Sequence, residues 1–435
     1  MSQVRRVAVI GAGWAGCAAA VELTRRHHQV TVFEAGRIPG GRARAVEING
    51  HTLDNGQHIL LGAYRDTLHL MRSVGLDPRR ALLRLPLQIR YPAGGDGMDF
   101  AAARLPAPLH LLAALWRSKG LARQDKLALT RFSTTTRWMN WRLNDDCSVA
   151  ELLQRFDQTA RLVRLLWQPL CVAALNTPIE RASAQVFLAV LRDSLGSRRA
   201  ASDMLIPRLN LSALLPQPAL DFIIRRGGVV KLGTAVKGIS ADRGQWSLQT
   251  GDAPDRFDAV IVATAPAAAA GLLQGVADIE AIATLSHEPI TTCYLQYAPG
   301  MRLERPFFAL EEDVAAARFG QFVFDRGQLD TSQSGMLAVV ISASTEAIAA
   351  GHDMLATTVA QQLADAFHLP ALGRPSWSQV ITEKRAGFSC QPGLLRPANQ
   401  TSAAGLLLAG DYTAGEYPAT IEGAVRSGRA AAHLI

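Results

Sequence analysis

Three glycines near the start of the chain have the spacing of a nucleotide-binding turn. Gly11, Gly13 and Gly16 form a G-x-G-x-x-G pattern between a short apolar run and a stretch with helical periodicity. In such a turn the first glycine makes the bend, the second lets the backbone approach a pyrophosphate, and the third permits close helix–strand packing. The N–H groups at the start of the helix favour phosphate binding. The pattern therefore predicts a dinucleotide site.

An acidic residue follows at the position where a ribose contact is expected. Glu34 ends a second apolar run, 18 residues after Gly16. Its carboxylate can accept hydrogen bonds from both ribose hydroxyls of an adenosine. The next residue is Ala35 and not an arginine, which disfavours a 2′-phosphate on that ribose.

Two further segments carry residues suited to a larger cofactor. Gly40 and Gly41 allow a second close approach of the backbone, and Arg42 offers a charge-assisted contact to a phosphate. Near the other end of the chain, an apolar run leads into Gly410 and Asp411. We expect Asp411 to accept a hydrogen bond from a ribityl hydroxyl, which favours FAD over NAD.

A helix predicted close to Pro418 would complete the cofactor site. Its first turn, around Thr420 and Ile421, would point a helix N-terminus at the flavin pyrimidine and favour the negative charge of a reduced flavin. Val236 is also included among the predicted cofactor-binding residues. FAD binding is expected to be non-covalent.

The elements that must position these residues follow an α/β order. The apolar run Val7–Ile10, a helical pattern to about His27 and a second run at Val30–Phe33 give the strand–helix–strand unit of a parallel sheet. Residues 37–62, rich in glycine and polar groups, are expected to form a loop. Alternating runs within residues 288–345 suit an antiparallel sheet with one open face.

The predicted fold class is therefore α/β, with a Rossmann-like FAD-binding domain that is discontinuous in sequence. Its segments are residues 1–75, 203–270 and 375–435. The substrate-binding domain, residues 76–202 and 271–374, would contain a mixed or antiparallel sheet and a helical insertion.

The net charge of +8 is concentrated in that insertion. Residues 104–199 contain 15 Lys and Arg against seven Asp and Glu, whereas the rest of the chain is balanced. Arginine alternates there with leucine and tryptophan, which suits a membrane surface. An ordinary solvated helical face is the alternative, and no nucleic-acid-binding pattern is present.

Other features narrow the class of protein. The five cysteines and ten histidines show no metal-site spacing, and no segment is long and apolar enough to span a membrane. No secretory pattern precedes Val7, so a cytoplasmic protein, peripheral on the inner membrane face, is expected. The oligomeric state is left open.

These motifs resemble the flavin-containing amine oxidase and phytoene desaturase superfamily. Within it, residues 54–64, 104–112 and 408–428 are similar to the hydroxysqualene dehydroxylases, also called squalene-associated FAD-dependent desaturases. The resemblance extends over the whole chain, except that Glu416 and Tyr417 stand where smaller or apolar residues are expected. It implies FAD-dependent removal of the hydroxyl of hydroxysqualene, a long-chain isoprenoid, to give squalene in hopanoid biosynthesis.

The segment Asp54–His58 holds the predicted catalytic residues. His58 is the candidate proton donor, because histidine can carry a proton near neutral pH. Asp54 would either orient His58 or hold the backbone of the flavin loop. The backbone of Gly56 and Gln57 is expected to face the flavin ring. A structural histidine that bonds the turn backbone remains the alternative for His58.

Three rival functions stay open. A phytoene or carotenoid desaturase would run hydride transfer in the opposite sense. An amine oxidase would need an aromatic cage, of which Tyr417 is one candidate wall, and some amine oxidases attach FAD to a cysteine, for which Cys390 is the candidate. A squalene carrier that keeps FAD only for structure is the non-enzymatic alternative.

Overall fold

The structure, a computed structural model, describes residues 4–251 and 255–435. Residues 1–3, on which the predicted absence of a secretory segment partly depends, lie outside the described residues. The strands in chain order are β1 (Arg6–Ile10), β2 (Gln29–Glu34), β3 (Ala45–Ile48), β4 (His51–Asp54), β5 (Leu60–Leu61), β6 (Leu82–Leu85), β7 (Gln88–Arg90), β8 (Asp99–Ala101), β9 (Met204–Pro207), β10 (Val229–Leu232), β11 (Gly238–Asp242), β12 (Gln245–Gln249), β13 (Asp255–Phe257), β14 (Ala259–Val262), β15 (His287–Gln296), β16 (Phe307–Ala309), β17 (Phe322–Asp325), β18 (Met336–Ser342), β19 (Trp377–Phe388) and β20 (Leu406–Leu408).

The helices surround these strands and include a run of six between β8 and β9. They are α1 (Trp14–Arg25), α2 (Arg65–Ser73), α3 (Pro78–Ala81), α4 (Leu109–Arg117), α5 (Arg123–Trp138), α6 (Val149–Arg155), α7 (Ala160–Leu162), α8 (Gln168–Leu175), α9 (Ala184–Ser194), α10 (Leu211–Leu214), α11 (Pro216–Arg225), α12 (Pro266–Leu273), α13 (Glu280–Ala283), α14 (Thr345–Ala349), α15 (His352–Phe367) and α16 (Ile421–His433).

A five-stranded parallel sheet, in the order β10-β2-β1-β14-β20, forms the centre of the nucleotide-binding half. Alternate residues of β1 face opposite sides: Val7 and Val9 pack in the cluster that includes α1, whereas Ala8 and Ile10 belong to the large core on the other side. The carboxyl ends of parallel strands meet at one edge of a sheet. The predicted cofactor residues follow β1, β2 and β20 at that edge.

The strands of this sheet come from all three segments that the sequence assigns to FAD binding. β19 differs, because it pairs with β15 from Trp377 to Phe388 in the antiparallel sheet. We therefore propose that the last nucleotide-binding segment begins after Phe388 and not at residue 375. Residues 37–62 also differ from the expected loop, since β3 and β4 form a hairpin there and β5 follows.

The second large sheet is antiparallel, in the order β16-β17-β18-β15-β19. The expectation of one open face is wrong, because both faces are covered. Cys293 and Leu295 of β15 pack in a cluster with α15, whereas Tyr294 belongs to the large core on the opposite face. That opposite face lies toward the Asp54–His58 segment, to which Tyr294 is hydrogen-bonded.

Helices α4 to α9 confirm the predicted helical insertion. Several of its large apolar side chains are exposed on α4, on α5 and just before α4. They are Leu105, Leu109, Leu112, Trp116, Leu127 and Trp138. Among the described residues, none of the helices combines the length and the apolar composition needed to cross a membrane.

Candidate cofactor and active site

Two of the three glycines in the first turn are required by packing within the protein. Gly11 has a φ of +105°, and a Cβ on it would lie 2.6 Å from the carbonyl oxygen of Ala263. A Cβ on Gly16 would lie 1.8 Å from the carbonyl oxygen of Gly11. The first helix can therefore approach β1 and β14 only with glycine at both positions, as the motif predicts.

Gly13 is different, because the protein itself leaves room for a side chain there. The nearest atom to a Cβ on Gly13 would be the Cα of Gly41, at 3.8 Å, and its φ of −73° suits any residue. The second glycine pair lies opposite, with the N–H of Gly40 donating to the carbonyl of Ala12 at 2.9 Å. Gly13 and Gly41 are partly exposed and face each other at the start of α1, and the space beside their backbones is called the cleft below. A ligand that approaches the backbone closely explains the glycine at position 13.

Glu34 lies at the edge of the same cleft. One carboxylate oxygen accepts the N–H of Ala12 at 2.7 Å, and the other accepts the N–H of Gly36 at 2.7 Å. Each oxygen keeps a second lone pair, so the carboxylate is fixed in place and can still accept ribose hydroxyls. The N–H of Thr234 donates to the carbonyl of Glu34, which places Val236, two residues later, near Glu34. The side chain of Val236 is partly buried.

Arg42 and Asp411, both predicted to contact the cofactor, contact each other. The Nη2 of Arg42 donates to Oδ1 of Asp411 at 2.6 Å, and Nη1 donates to the carbonyl of Ala386 at 2.5 Å. Burial disfavours the charge of Arg42, but Asp411 outweighs this effect and the pKa of Arg42 is raised. The pair joins the Gly40–Arg42 segment to the segment after β20.

The predicted helix near Pro418 is α16, with Thr420 as its N-cap. The Thr420 hydroxyl accepts the N–H of Gly423 at 3.1 Å, and Ile421 is the first helical residue. Farther along, a Cβ on Gly428 would lie 2.0 Å from the carbonyl oxygen of Ala15, so that glycine lets α16 pack closely on α1. α16 is thereby packed against the helix of the phosphate-binding turn.

Several buried polar atoms around the cleft have no partner among the described residues. One is the hydroxyl of Thr264, the residue after Ala263 and beside the Gly11 turn. Another is the hydroxyl of Tyr412, the residue after Asp411. The Nε2 of His287 is also unpaired, and the pKa of His287 is lowered by burial and by nearby Arg42. Buried polar groups are normally paired, so these atoms suit a ligand with many polar groups. The residues present therefore fit FAD.

Asp54, at the end of β4, supports the loop that follows it. Its Oδ1 accepts the N–H of Leu211 at 2.8 Å, and its backbone carbonyl accepts the hydroxyl of Tyr294 at 2.7 Å. Burial raises the pKa of Asp54 to about 6, although the charge of Arg326 and the bond from Leu211 act against that rise. Asp54 and His58 are not hydrogen-bonded to each other. Of the two roles predicted for Asp54, its contacts match the one in which it holds the backbone of the loop.

Both ends of the Gln57 side chain are hydrogen-bonded within the protein. Its Nε2 donates to the hydroxyl of Tyr294 at 2.8 Å, and its Oε1 accepts from Nη1 of Arg326 at 2.9 Å. Arg326 is almost completely buried and also donates to Gln333. These bonds fix the side chain and leave the backbone of Gln57 for the predicted contact to flavin. Tyr294 and Arg326 could not be found from sequence, because β15 and the turn after β17 are distant from Gln57 in sequence and form no local motif with it.

His58 is held by its own loop. Its Nδ1 lies 3.0 Å from the carbonyl oxygen of Gly56. A carbonyl only accepts, so Nδ1 carries the proton and Nε2 has the free lone pair. Burial, and secondarily the charge of Arg42, lower the pKa of His58, although the bond to Gly56 acts in the other direction. The imidazole is therefore neutral at pH 7.

Comparison with known proteins decides the family of this site. Residues 14–435 match the family described as flavin containing amine oxidoreductase. The chain belongs to this flavin-containing amine oxidoreductase family. The predicted superfamily and flavin-dependent oxidoreductase class are thereby confirmed.

Within this flavin family, the chain is similar to enzymes of isoprenoid chemistry. It is 30% identical to a hydroxysqualene dehydroxylase of Rhodopseudomonas palustris over 99% of this chain and 98% of the relative. It is 28% identical to that of Sinorhizobium fredii, with the same coverage. A zeta-carotene desaturase of Synechocystis matches at 23% identity, over 99% of this chain and 97% of the relative.

The fold is shared with solved structures of oxidoreductases. A cyclohexylamine oxidase from Brevibacterium oxydans superposes with a TM-score of 0.68 at 18% identity, over 99% of this chain and 98% of the other. An oxidoreductase from Methanosarcina mazei gives 0.72 at 16% identity, over 98% of this chain and 99% of the other. The predicted α/β fold class is confirmed.

Tyr417, the candidate wall of an amine oxidase cage, is engaged elsewhere. The ring of Tyr417 lies 4.1 Å from the guanidinium carbon of Arg426, and its hydroxyl donates to Asp193 at 2.8 Å. With a cation on its face, this ring is unsuited to a cage for an amine. Glu416, the other departure from the family pattern, pairs with Arg192 at 2.8 Å. Glu416 and Tyr417 thus attach the segment before α16 to the end of α9.

Cys390 remains a poor candidate for covalent flavin attachment. Its side chain is buried, and burial raises its pKa to about 12, which disfavours the reactive thiolate. Its backbone N–H donates a hydrogen bond to the hydroxyl of Thr177 at 3.0 Å. Non-covalent FAD therefore stays the better prediction.

Proposed function

We propose that this chain binds FAD non-covalently and reductively removes the hydroxyl of hydroxysqualene to give squalene. The observation that carries the proposal is the full-length similarity to hydroxysqualene dehydroxylases, at 30% identity over 99% of the chain. FAD would be held by the backbone around Gly13 and Gly41, by Glu34, and by the segment after β20. When bound and reduced, FAD supplies the hydride that replaces the hydroxyl.

The overall change balances as one hydride and one proton. The allylic carbon–oxygen bond breaks, the oxygen takes a proton and leaves as water, and a carbon–hydrogen bond forms as the flavin is oxidised. An external reductant must then return two electrons to the flavin. The protein has to supply the proton and keep bulk water away from the electron-poor carbon.

The apolar face of the antiparallel sheet is suited to keeping bulk water away from the reacting carbon. Aromatic and aliphatic side chains of β16, β17, β18 and β19 lie in the same large core as Tyr294, on the side toward the Asp54–His58 segment. They include Phe307, Phe322, Phe324, Met336 and Ile381. Such a surface excludes water, and an isoprenoid chain bound against it would lie in apolar surroundings.

His58 is the proposed source of the proton. Because its lowered pKa leaves it neutral at pH 7, it must be protonated transiently or act mainly at lower pH. The bond from Nδ1 to Gly56 keeps the ring in a fixed orientation in either state. Turnover that depends on His58 should therefore rise as the pH falls toward the pKa of this residue.

The exposed face of α4 and α5 is the proposed membrane contact. Leu109, Leu112 and Trp116 have helical spacing on α4, and Trp138 at the end of α5 is 87% exposed. Exposed basic residues lie among them: Arg104, Arg117, Lys119, Arg123, Arg131 and Arg137. This combination suits an anionic lipid surface from which a water-insoluble substrate is collected.

The deciding experiment is anaerobic incubation of the dithionite-reduced holoenzyme with hydroxysqualene. We expect squalene in one-to-one ratio with oxidised flavin in a single turnover. His58→Ala should slow squalene formation by about 10² or more, as loss of a general acid does. The matched control, His352→Ala at the exposed start of α15, should retain full activity. Unchanged turnover in His58→Ala would remove His58 from the mechanism.

A carotenoid-type desaturase is the second candidate, favoured by the similarity to zeta-carotene desaturase. It would oxidise its substrate and reduce the flavin, which is the opposite direction. Oxidised holoenzyme mixed anaerobically with phytoene or zeta-carotene separates the two. Bleaching of the flavin with these hydrocarbons, and no squalene from hydroxysqualene, would replace the first proposal by the second.

A further inference from the structure

One buried hydroxyl beside the His58 loop has no partner. Thr292 is 1% exposed, and its Oγ1 makes no hydrogen bond to any described residue. On β15 it lies opposite Val340 on one neighbouring strand and Ile381 on the other. The hydroxyl therefore lies within the apolar face that is proposed to hold the isoprenoid chain.

The alternation of β15 fixes which way this hydroxyl faces. Tyr294, two residues on, has its hydroxyl bonded to Gln57 and to the carbonyl of Asp54. Residues two apart on a strand share a face, so Thr292 lies on the side of the Asp54–His58 segment. Its neighbour Thr291 points to the other face, where its hydroxyl is bonded to Ser344 at 2.9 Å and Thr382 at 3.0 Å.

Gly56 separates Thr292 from His58. A Cβ on Gly56 would lie 3.8 Å from Oγ1 of Thr292 and 3.9 Å from Cε1 of His58. The missing side chain thus leaves a gap bordered by one hydroxyl and one imidazole. Thr292 can donate from its hydroxyl, and the neutral His58 can accept at Nε2.

We propose that Thr292 is a substrate-binding residue that donates a hydrogen bond to the reacting hydroxyl of the substrate. An alcohol satisfies both groups in either state of His58. Its oxygen accepts from Thr292, and its O–H donates a hydrogen bond to Nε2 of the neutral imidazole; when His58 is protonated and supplies the proton, its Nε2–H donates to the same oxygen instead. A buried hydroxyl without a partner destabilises the protein, which suits a group kept for a ligand. The inference rests on the proposed function.

Thr292→Val and Thr291→Val form a matched pair of tests. Thr292→Val removes an unpaired hydroxyl, so the melting temperature should stay equal or rise, whereas kcat/KM for hydroxysqualene should fall at least about tenfold. Thr292→Ser keeps the hydroxyl and should stay within about threefold of wild type. Thr291→Val breaks paired hydroxyls, so it should lower the melting temperature and leave turnover per folded holoenzyme unchanged.

Three results would overturn the proposal. Unchanged kcat/KM in Thr292→Val would show that the hydroxyl does not meet the substrate. Weaker FAD binding in that variant, measured by quenching of flavin fluorescence, would assign the hydroxyl to the flavin. A drop in melting temperature like that of Thr291→Val would show a partner within the protein.

A binding measurement separates this proposal from the proposed function. Oxidised holoenzyme is titrated with farnesol, an isoprenoid allylic alcohol, and with squalene, which has no hydroxyl, while flavin absorbance is followed. Tighter binding of farnesol in wild type but not in Thr292→Val supports the alcohol site even if hydroxysqualene is not turned over. Equal farnesol affinity in both proteins overturns it.

Discussion

The cofactor cleft and the Asp54–His58 region differ in what they are made of. The cleft is bordered largely by backbone, at Gly13 and Gly41, where Gly11 and Gly16 let the first helix pack closely beside it. The Asp54–His58 region is held by side chains that are distant in sequence, from β15 and from the turn after β17. Backbone can be specified by glycine spacing within a few residues, whereas a side-chain network needs the tertiary fold.

The network around Gln57 illustrates the second kind of construction. Tyr294 and Arg326 bond both ends of the Gln57 amide, and Tyr294 also bonds the carbonyl of Asp54. Each partner is more than 230 residues away in sequence. The loop that carries His58 is therefore rigid for reasons that no local motif records.

The largest expected effect is a loss of stability when Gly16, but not Gly13, is replaced by alanine. Gly16→Ala should destabilise the protein by about 3 kcal/mol or more, because the new Cβ would meet the backbone of Gly11 at 1.8 Å. Gly13→Ala should fold with nearly wild-type stability, since the nearest atom would be 3.8 Å away. Thermal unfolding of the two apoproteins measures this difference.

Gly13→Ala also tests whether a bound ligand explains the glycine at position 13. FAD affinity should fall at least about tenfold in Gly13→Ala although the protein is folded, because its methyl group enters the space needed for close approach of a pyrophosphate. Wild-type FAD affinity in Gly13→Ala would contradict the proposed position of the pyrophosphate.

The contrast between backbone and side chains also explains what the sequence could predict. The G-x-G-x-x-G turn, Glu34 and the N-cap at Thr420 are local patterns, and each has the predicted local structure. The β3–β4 hairpin replaces the expected loop, and Asn49 and Gly50, both with positive φ, form the Asn-Gly signal of a tight turn. The glycine-rich, polar composition of the surrounding residues favours a loop and obscures this signal.

Other features lacked a local signal. The unpaired buried hydroxyl of Thr292 and the burial of Arg326 depend on which strands become neighbours, and strand order is not written in any short segment. The open face predicted for the antiparallel sheet was wrong because α15, which follows β18 in sequence, packs across it. Alternation in a strand indicates two faces but not what covers them.

A smaller effect is expected from the charge of Asp54. Its pKa of about 6 in the folded protein lies above its ordinary value of 3.8, so its contribution to stability is present at low pH and is lost as the pH rises through 6. Asp54→Asn keeps an oxygen for the N–H of Leu211 and removes the charge. The variant should therefore be more stable than wild type at pH 8, by roughly 2 kcal/mol, and equal to it near pH 4.

Denaturant unfolding of both proteins at several pH values measures this difference. A matched control is Asp330→Asn, whose carboxylate is bonded to the exposed Ser332 in a surface turn. It should show no comparable gain at pH 8. A constant difference between wild type and Asp54→Asn from pH 4 to pH 8 would contradict a raised pKa for Asp54.

The smallest effect concerns the helical insertion, where exposed apolar residues and the excess of positive charge coincide. We expect the holoenzyme to pellet with anionic liposomes at low salt and to be released at high salt, because screening weakens attraction between basic residues and lipid headgroups. Replacing Trp116 and Trp138 together by alanine should weaken binding at least about tenfold, since both rings are exposed and suited to the headgroup region. Met354→Ala, an exposed apolar residue on α15, should bind like wild type. Equal recovery of wild type in the supernatant with and without liposomes would leave the insertion as an ordinary solvated surface.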